Sequence, residues 1–273
     1  MKYKLIACDM DETLLNDEKH VSPENHNAIK KVCELGVKFV LASGRGYTDI
    51  QNVARTLNLA DKHGEYTISF NGGVITENKD NKILFKQGIT FEQTNTLFNI
   101  GLGYDVGFHI YTLDKVYIYR ATQEELDYMT GRLDNCMVLS EPNIDFLKDE
   151  TIIKILFQNN DRQYLETIER EMTKETLSQF SISYSGNRYI EFNSQGVSKG
   201  NALLQLAKML GINQDEMISI GDNNNDISML EVAGLGIAVA NATTDAKEAA
   251  KVVSEYTNNQ SAIAQVIEQY VLN

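Results

Sequence analysis

Two aspartates one residue apart, Asp9 and Asp11, follow directly on the apolar run Leu5 to Cys8, in the segment Asp9-Met10-Asp11-Glu12-Thr13-Leu14-Leu15. Side chains alternate along extended backbone, so the two carboxylates are expected on the same side, with Cα atoms roughly 6–7 Å apart. Two such groups repel, and the repulsion is relieved by a cation or by a proton kept on one of them. Both solutions suit phosphoryl transfer: one carboxylate attacks phosphorus while the other passes a proton to and from oxygen.

Three further groups have matching chemistry. Ser43-Gly44-Arg45 ends a second apolar run, and a hydroxyl with backbone N–H groups at a helix start makes a phosphate cradle. Lys199, in Gly196-Val197-Ser198-Lys199-Gly200, begins a helix marked by Leu203, Leu206 and Leu210. Lysines are normally favoured at the other, negative end of a helix, so this one suggests an anion nearby. Gly221-Asp222-Asn223-Asn224-Asn225-Asp226 follows the apolar run Met217 to Ile220. Magnesium takes oxygen ligands and prefers few carboxylates together with water and phosphate. Asp222 and Asp226 supply such oxygens, and the asparagines can orient them. A calcium loop is disfavoured, because the later bidentate glutamate is missing. Taken singly, each feature has an ordinary reading as solvated carboxylates, a helix cap, an exposed lysine or an Asn-rich turn. The indication comes from the set, in one order, each member at a strand end or helix start.

The elements that must position these groups are legible in outline. Leu5 to Cys8, Val37 to Ala42 and Tyr66 to Phe70 have the length and apolarity of buried strands. Ser22-Pro23-Glu24 opens a helix with Ala28, Ile29, Val32 and Leu35 on its apolar face and Gly36 at its end. A second helix runs from about Tyr47 to Leu57, and Asn71-Gly72-Gly73 is a turn. Helix-length crossovers between short apolar strands indicate a parallel sheet. Near residue 84 the texture changes. Two-residue alternation appears at Lys115 to Tyr119, Ser181 to Ser185 and Arg188 to Phe192, with a hairpin turn at Tyr184 to Arg188. Helical patterns lie at Phe91 to Ile100, Gln123 to Gly131 and Arg162 to Leu177. After about residue 193 the earlier rhythm returns, with a helix from Asn224 to Val232, a strand from Leu235 to Val239 and a closing helix carrying Ile263, Val266, Ile267 and Tyr270. The predicted fold class is α/β: a Rossmann-like parallel-sheet core, residues 1–83 and 191–273, interrupted by an α+β domain at residues 84–190.

The chain has 273 residues and a formal net charge of −13. An acidic surface disfavours nucleic acid and anionic membranes as partners, while a metal and one lysine can still make a site locally positive. No stretch approaches the roughly 20 apolar residues that span a bilayer. Met1 to Lys4 lead into no signal-peptide core, and the sparse, odd set Cys8, Cys33 and Cys136 fits a reducing compartment. The expected location is cytoplasmic.

At the level of these motifs the sequence resembles the haloacid dehalogenase superfamily, and through its long insertion the Cof-like sugar-phosphatase branch with a large α/β cap. The Asp9 to Leu15 segment resembles the family's first motif, Leu41-Ala42-Ser43-Gly44-Arg45 the second, Lys199 the third and Gly221 to Asp226 the fourth. The resemblance implies a magnesium-dependent phosphatase acting on a small phosphorylated metabolite. Asp9 would form an aspartyl-phosphate and bind the metal. Asp11 would be general acid and base, with its backbone carbonyl a second metal ligand and Asp222 a third. Ser43, Gly44, Lys199 and Asn225 would bind the phosphoryl group, and Asp226 would orient Lys199 or metal-bound water. Asn71-Gly72-Gly73 resembles the family's turn near the cap hinge. One position departs from the pattern: Glu12 stands where the family usually has glycine, which tolerates backbone angles other residues resist.

Two other readings share these motifs. A phosphohexomutase-like phosphotransferase would keep the aspartyl-phosphate from water, and a non-enzymatic phospho-ligand sensor would keep the fold without turnover, although the intact Asp11 disfavours it. Specificity is expected from the inserted domain, where His109, Tyr111, Tyr117, Tyr119 and Arg188 are candidates. Alternating aromatics are more often packing, and Arg188 beside a hairpin is expected to be solvated. The substrate and the oligomeric state are not readable from the sequence.

Overall fold

The computed structural model describes residues 2–130, 135–185 and 187–273. The first part of the chain forms β1 (Leu5–Cys8), α1 (Pro23–Glu34), β2 (Lys38–Ala42), α2 (Tyr47–Thr56), β3 (Tyr66–Ser69), β4 (Val74–Glu77) and β5 (Lys82–Lys86). The middle part forms α3 (Phe91–Gly101), β6 (Gly107–Thr112), β7 (Val116–Tyr119), α4 (Gln123–Met129), β8 (Cys136–Leu139), β9 (Ile152–Gln158), α5 (Arg162–Glu171), α6 (Lys174–Leu177), β10 (Phe180–Ser185) and β11 (Tyr189–Ser194). The last part forms α7 (Lys199–Leu210), β12 (Met217–Gly221), α8 (Ile227–Val232), β13 (Leu235–Ala238), α9 (Thr244–Ala249), β14 (Val252–Val253) and α10 (Ala262–Ile267). The chain divides into two compact units, Met1–Lys86 with Ser198–Asn273, and Gln87–Val197.

The first unit is built on a sheet of order β14-β13-β12-β1-β2-β3-β4-β5. From β14 to β3 the strands are parallel. Alternation explains its three layers. Ile6 and Cys8 point with Phe39, Leu41 and Ile220 toward α1, α2 and α10, meeting Ile29, Ile50 and Ile263. Leu5 and Ala7 point with Val40 and Ala42 toward α7 and α8, meeting Leu203, Leu206 and Met229. All four residues of β1 are fully buried, and each large apolar side chain so buried contributes about 1.5–3 kcal/mol. β1 has β2 on one side and β12 on the other, so the chain order reverses beside it, and ligands of open parallel sheets bind at such a switch point.

The third strand ends at Ser69 rather than Phe70. Phe70 and Asn71 take left-handed angles of φ 52° and 55°, and the chain turns back into the antiparallel pair β4 and β5, which the sequence pattern had not suggested. Gly72 makes this turn possible. Its φ is +101°, and a Cβ there would lie 2.2 Å from the Ser198 carbonyl oxygen.

The second unit contains a six-stranded sheet, β10-β11-β9-β6-β7-β8. It is antiparallel except for β7 and β8, which run parallel. One face carries Phe108, Ile110, Ile155, Phe157, Ile190 and Phe192 into an apolar core with Leu97, Leu165 and Ile168. The helix expected over Arg162 to Leu177 is broken: α5 stops at Glu171, Met172 is extended, and the Thr173 side chain caps α6 by accepting from the Thr176 N–H. The helix expected from Asn224 begins instead with a 3-10 turn, Asn224–Asp226, before α8. Of the expected elements, Gly131 and Gly186 lie outside the described residues.

Candidate active site

Asp9 follows β1 and Asp222 follows β12, two strands paired with Cys8 opposite Ile220. Their carboxylates therefore meet at one end of the sheet, and with Asp226 they offer oxygen atoms all within 4.8 Å of one another. Lys199, the first residue of α7, is fully buried. Its Nζ donates to Asp9 Oδ1 at 2.5 Å and to Asp226 Oδ1 at 2.6 Å. Ser198 caps the helix by accepting from the Asn201 N–H, so Lys199 is fixed at the positive helix end, and the two carboxylates offset that unfavourable placement. Asp226 is spent on structure: its Oδ2 accepts from the backbone N–H groups of Asp222 and Asn223, each at 3.0 Å. Asp222 Oδ1 accepts from the Thr13 hydroxyl at 2.6 Å. Among the described residues, the second oxygens of Asp9 and Asp222 accept no hydrogen bond.

The electrostatics follow from this crowding. Burial, then the charge of Asp226, push the Asp9 carboxyl well above the usual range, with Lys199 opposing. Burial and Asp226 likewise push Asp222 up to about 7, against the Thr13 hydrogen bond. Burial favours a neutral amine at Lys199, but Asp226 and Asp9 outweigh it and hold the ammonium above its ordinary range. Three buried carboxylates thus face a single buried ammonium, with unpartnered oxygens on Asp9 and Asp222. A hard divalent cation suits that donor set, and these two residues could hold it.

Asp11 lies elsewhere than extended alternation predicted. After Asp9 the chain enters a tight helical turn, Met10–Leu14, in which Asp11 is extended and Glu12 is left-handed at φ 62°. The Asp11 carboxylate is outside the acidic cluster, and Asp226 completes that cluster instead. Asp11 accepts from Arg45, Nε to Oδ2 at 2.9 Å and Nη2 to Oδ1 at 2.6 Å, and from Lys19 at 3.5 Å. Burial raises the Asp11 carboxyl, but the Arg45 hydrogen bonds and charge, with Lys19, bring it below its ordinary value. The turn does require the angle glycine would supply. Glu12 adopts it at a cost of roughly 1–2 kcal/mol, and its carbonyl accepts from Asn241 Nδ2 at 2.8 Å.

Ser43 is buried at the end of β2. It does not cap α2, which starts at Tyr47 after Gly46; its hydroxyl accepts from the Arg45 N–H at 3.2 Å, and its carbonyl accepts from the Asn71 N–H at 3.0 Å. Asn225 Nδ2 donates to Asn71 Oδ1 at 3.1 Å, and a Cβ on Gly44 would stand 3.0 Å from the same oxygen. Ser43, Gly44, Asn71 and Asn225 form a second linked group, tied to Asp11 through Arg45. Sequence reasoning gave no role to Arg45 or Thr13.

In the second unit, Tyr117 and Tyr119 pair opposite Ile110 and Phe108 and pack against the apolar core. His109 and Tyr111 point to the opposite face of the sheet, with Lys154 and Glu191, which are buried and joined at 2.5 Å. Arg188 is not solvated as expected. It donates to Glu125 at 3.1 Å and Glu124 at 3.3 Å, with its side chain 14% exposed.

A parallel sheet with Asp9 and Asp222 after two adjacent central strands, and a buried lysine held between Asp9 and Asp226, is an arrangement suited to phosphoryl transfer. Residues 6–267 match the haloacid dehalogenase-like hydrolases, and the chain belongs to that family. The match runs through the inserted unit as well as the sheet that carries the aspartates. The chain is 31% identical over 270 residues to YxeH of Bacillus subtilis (strain 168), covering 99% of each. It is 28% identical over 269 residues to the 5-amino-6-(5-phospho-D-ribitylamino)uracil phosphatase YcsE of the same organism, covering 98% of this chain and 96% of that one. A haloacid dehalogenase-like hydrolase from Bacteroides thetaiotaomicron superimposes with a TM-score of 0.85 at 28% identity, covering 98% of this chain and 99% of the other. The protein is a phosphatase of this family. Among the described residues no helix is long and apolar enough to cross a membrane.

Proposed function

We propose that this phosphatase is magnesium-dependent, hydrolyses small phosphate monoesters of the sugar or polyol class, and works through an aspartyl-phosphate on Asp9. The observation that carries the reading is the placement of Lys199, whose ammonium holds Asp9 Oδ1 beyond the end of β1, while Asp9 Oδ2 has no hydrogen-bond partner among the described residues. A carboxylate so held is oriented, and its nucleophilic oxygen is directed by a fixed neighbour.

In the first step an Asp9 oxygen forms a bond to phosphorus as the ester P–O bond breaks, and the leaving oxygen takes its proton from Asp11, which Arg45 keeps ionised in the free protein and which takes up that proton when the substrate binds. In the second step water gives a proton to the Asp11 carboxylate and attacks phosphorus. The Asp9–phosphorus bond breaks, the carboxylate is restored, and inorganic phosphate departs. Lys199 and Ser43 hold phosphoryl oxygens during both steps, with Asn225 and the Gly44 backbone beside them. Asp226 keeps Lys199 in place. Asp9, Asp222 and the Asp11 backbone carbonyl would hold the magnesium ion, which supplies positive charge against the developing phosphoryl charge.

The substrate class is supported by YcsE, whose name describes a phosphate ester on a ribityl chain. The test is phosphate release from a panel of sugar phosphates, nucleotides and pyridoxal phosphate, with and without magnesium, beside Asp9→Asn. Release that requires the metal and disappears in Asp9→Asn is expected. Unchanged release by Asp9→Asn would remove Asp9 as the nucleophile.

A further inference from the structure

Arg45 occupies a position from which it controls Asp11. Its backbone is tied on both sides: the N–H donates to Ser43 Oγ at 3.2 Å, and the carbonyl accepts from the Phe70 N–H at 2.8 Å. The root of its side chain is thereby fixed to the end of β2 and the turn after β3. From there the guanidinium reaches Asp11 as a two-pronged fork, Nε to Oδ2 at 2.9 Å and Nη2 to Oδ1 at 2.6 Å. Asp11 has little else to hold it. It stands in a tight turn beside the left-handed Glu12, its side chain is 37% exposed, and its other partner, Lys19, lies 3.5 Å away.

A group that passes protons to and from substrate atoms must be located to within about half an ångström, and a side chain left partly exposed does not locate itself. A planar fork fixes both the position and the rotation of a carboxyl group, which a compact ammonium does not. A protonated carboxyl still offers its carbonyl oxygen to one prong, so the location persists whether Asp11 gives or takes a proton. We infer that Arg45 is a positioning residue for Asp11, holding its carboxyl group in the place from which proton transfer occurs. This inference rests on the assignment of Asp11 to proton transfer.

The rival role for Arg45 is direct contact with the phosphoryl group, and leaving-group dependence separates the two. p-Nitrophenolate departs without a proton, whereas phenolate benefits from one. kcat/KM, which reports only steps up to formation of the aspartyl-phosphate, is measured for p-nitrophenyl phosphate and phenyl phosphate with wild type, Asp11→Asn, Arg45→Ala and Arg45→Lys. General acid catalysis is worth roughly 100- to 10,000-fold. Arg45→Ala is therefore expected to lose roughly 10- to 100-fold on phenyl phosphate and less than about 3-fold on p-nitrophenyl phosphate. It would reproduce the pattern of Asp11→Asn, and Arg45→Lys would restore little of the phenyl phosphate rate. The p-nitrophenyl arm also shows that each variant is folded. Equal losses on both esters in Arg45→Ala, or full restoration by Arg45→Lys, would overturn the positioning role. Equal losses in Asp11→Asn itself would instead remove the proton-transfer reading on which it rests.

Discussion

The Lys199 ammonium rests 2.5 Å from the Asp9 carboxylate, so the first residue of α7 is paired with the residue that follows β1. Removing one partner of a buried pair leaves the other charge uncompensated, a loss of about 3–5 kcal/mol. Lys199→Met is therefore expected to unfold at markedly lower denaturant concentration than wild type. Chemical denaturation of the metal-free proteins measures this. A midpoint unchanged from wild type would mean that the pair is not formed in solution.

The Thr13 hydroxyl holds one oxygen of Asp222 at 2.6 Å and so turns the other outward. Hydrogen bonds behind a metal ligand typically change metal affinity 10- to 100-fold. Thr13→Val should raise the magnesium concentration for half-maximal activity by about tenfold, with turnover at saturating metal close to wild type. A magnesium titration of activity checks both values.

Glu12 bears a left-handed angle at a turn where glycine has no steric penalty. Glu12→Gly should raise stability by about 1 kcal/mol, read from the denaturation midpoint. A large accompanying gain in turnover would show that Glu12 also distorts the neighbouring aspartates.

His109 is fully buried, and that burial, with the charge of Lys154, pushes its imidazole down to about 3. An unfolded histidine takes its proton near pH 6.5. The contribution of neutral His109 is therefore present above that pH and lost as pH falls from there toward the folded value, by up to about 1.4 kcal/mol per unit. His109→Gln should flatten the stability profile between pH 6.5 and 4. A slope identical to wild type would mean that His109 protonates without unfolding the protein.

Much of this architecture was legible because β1, β2, β12 and β13 are buried on both faces, and such strands appear as short apolar runs. β4 and β5 escaped because β5 has only the three apolar residues Ile83, Leu84 and Phe85 between lysines, with none of them fully buried, too short a run to mark a strand. The α5–α6 break escaped because the apolar spacing continues through it while Thr173 supplies a cap. Within the site, strand-end placement pointed to Asp9 and Asp222 and a helix start to Lys199, and the structure brings these side chains together. Pairings between distant side chains were beyond reach: Arg45 with Asp11 and Thr13 with Asp222 depend on how the turn at Met10–Leu14 coils, and left-handed Glu12 sets that. The same turn explains why Asp9 and Asp11, read as two carboxylates on one side, engage different cations.

The pairing of β1 with β12 also has a consequence during synthesis. Thr13 and Asp222 are 209 residues apart, so at ribosomal rates of roughly 5–20 residues per second β1 waits some 10 to 40 s for its neighbour. Throughout that interval one edge of β1 is open, and an open apolar edge is a template for aggregation. The nascent chain therefore depends most on chaperone protection before β12 emerges, and no shorter translation product brings Asp9 and Asp222 together.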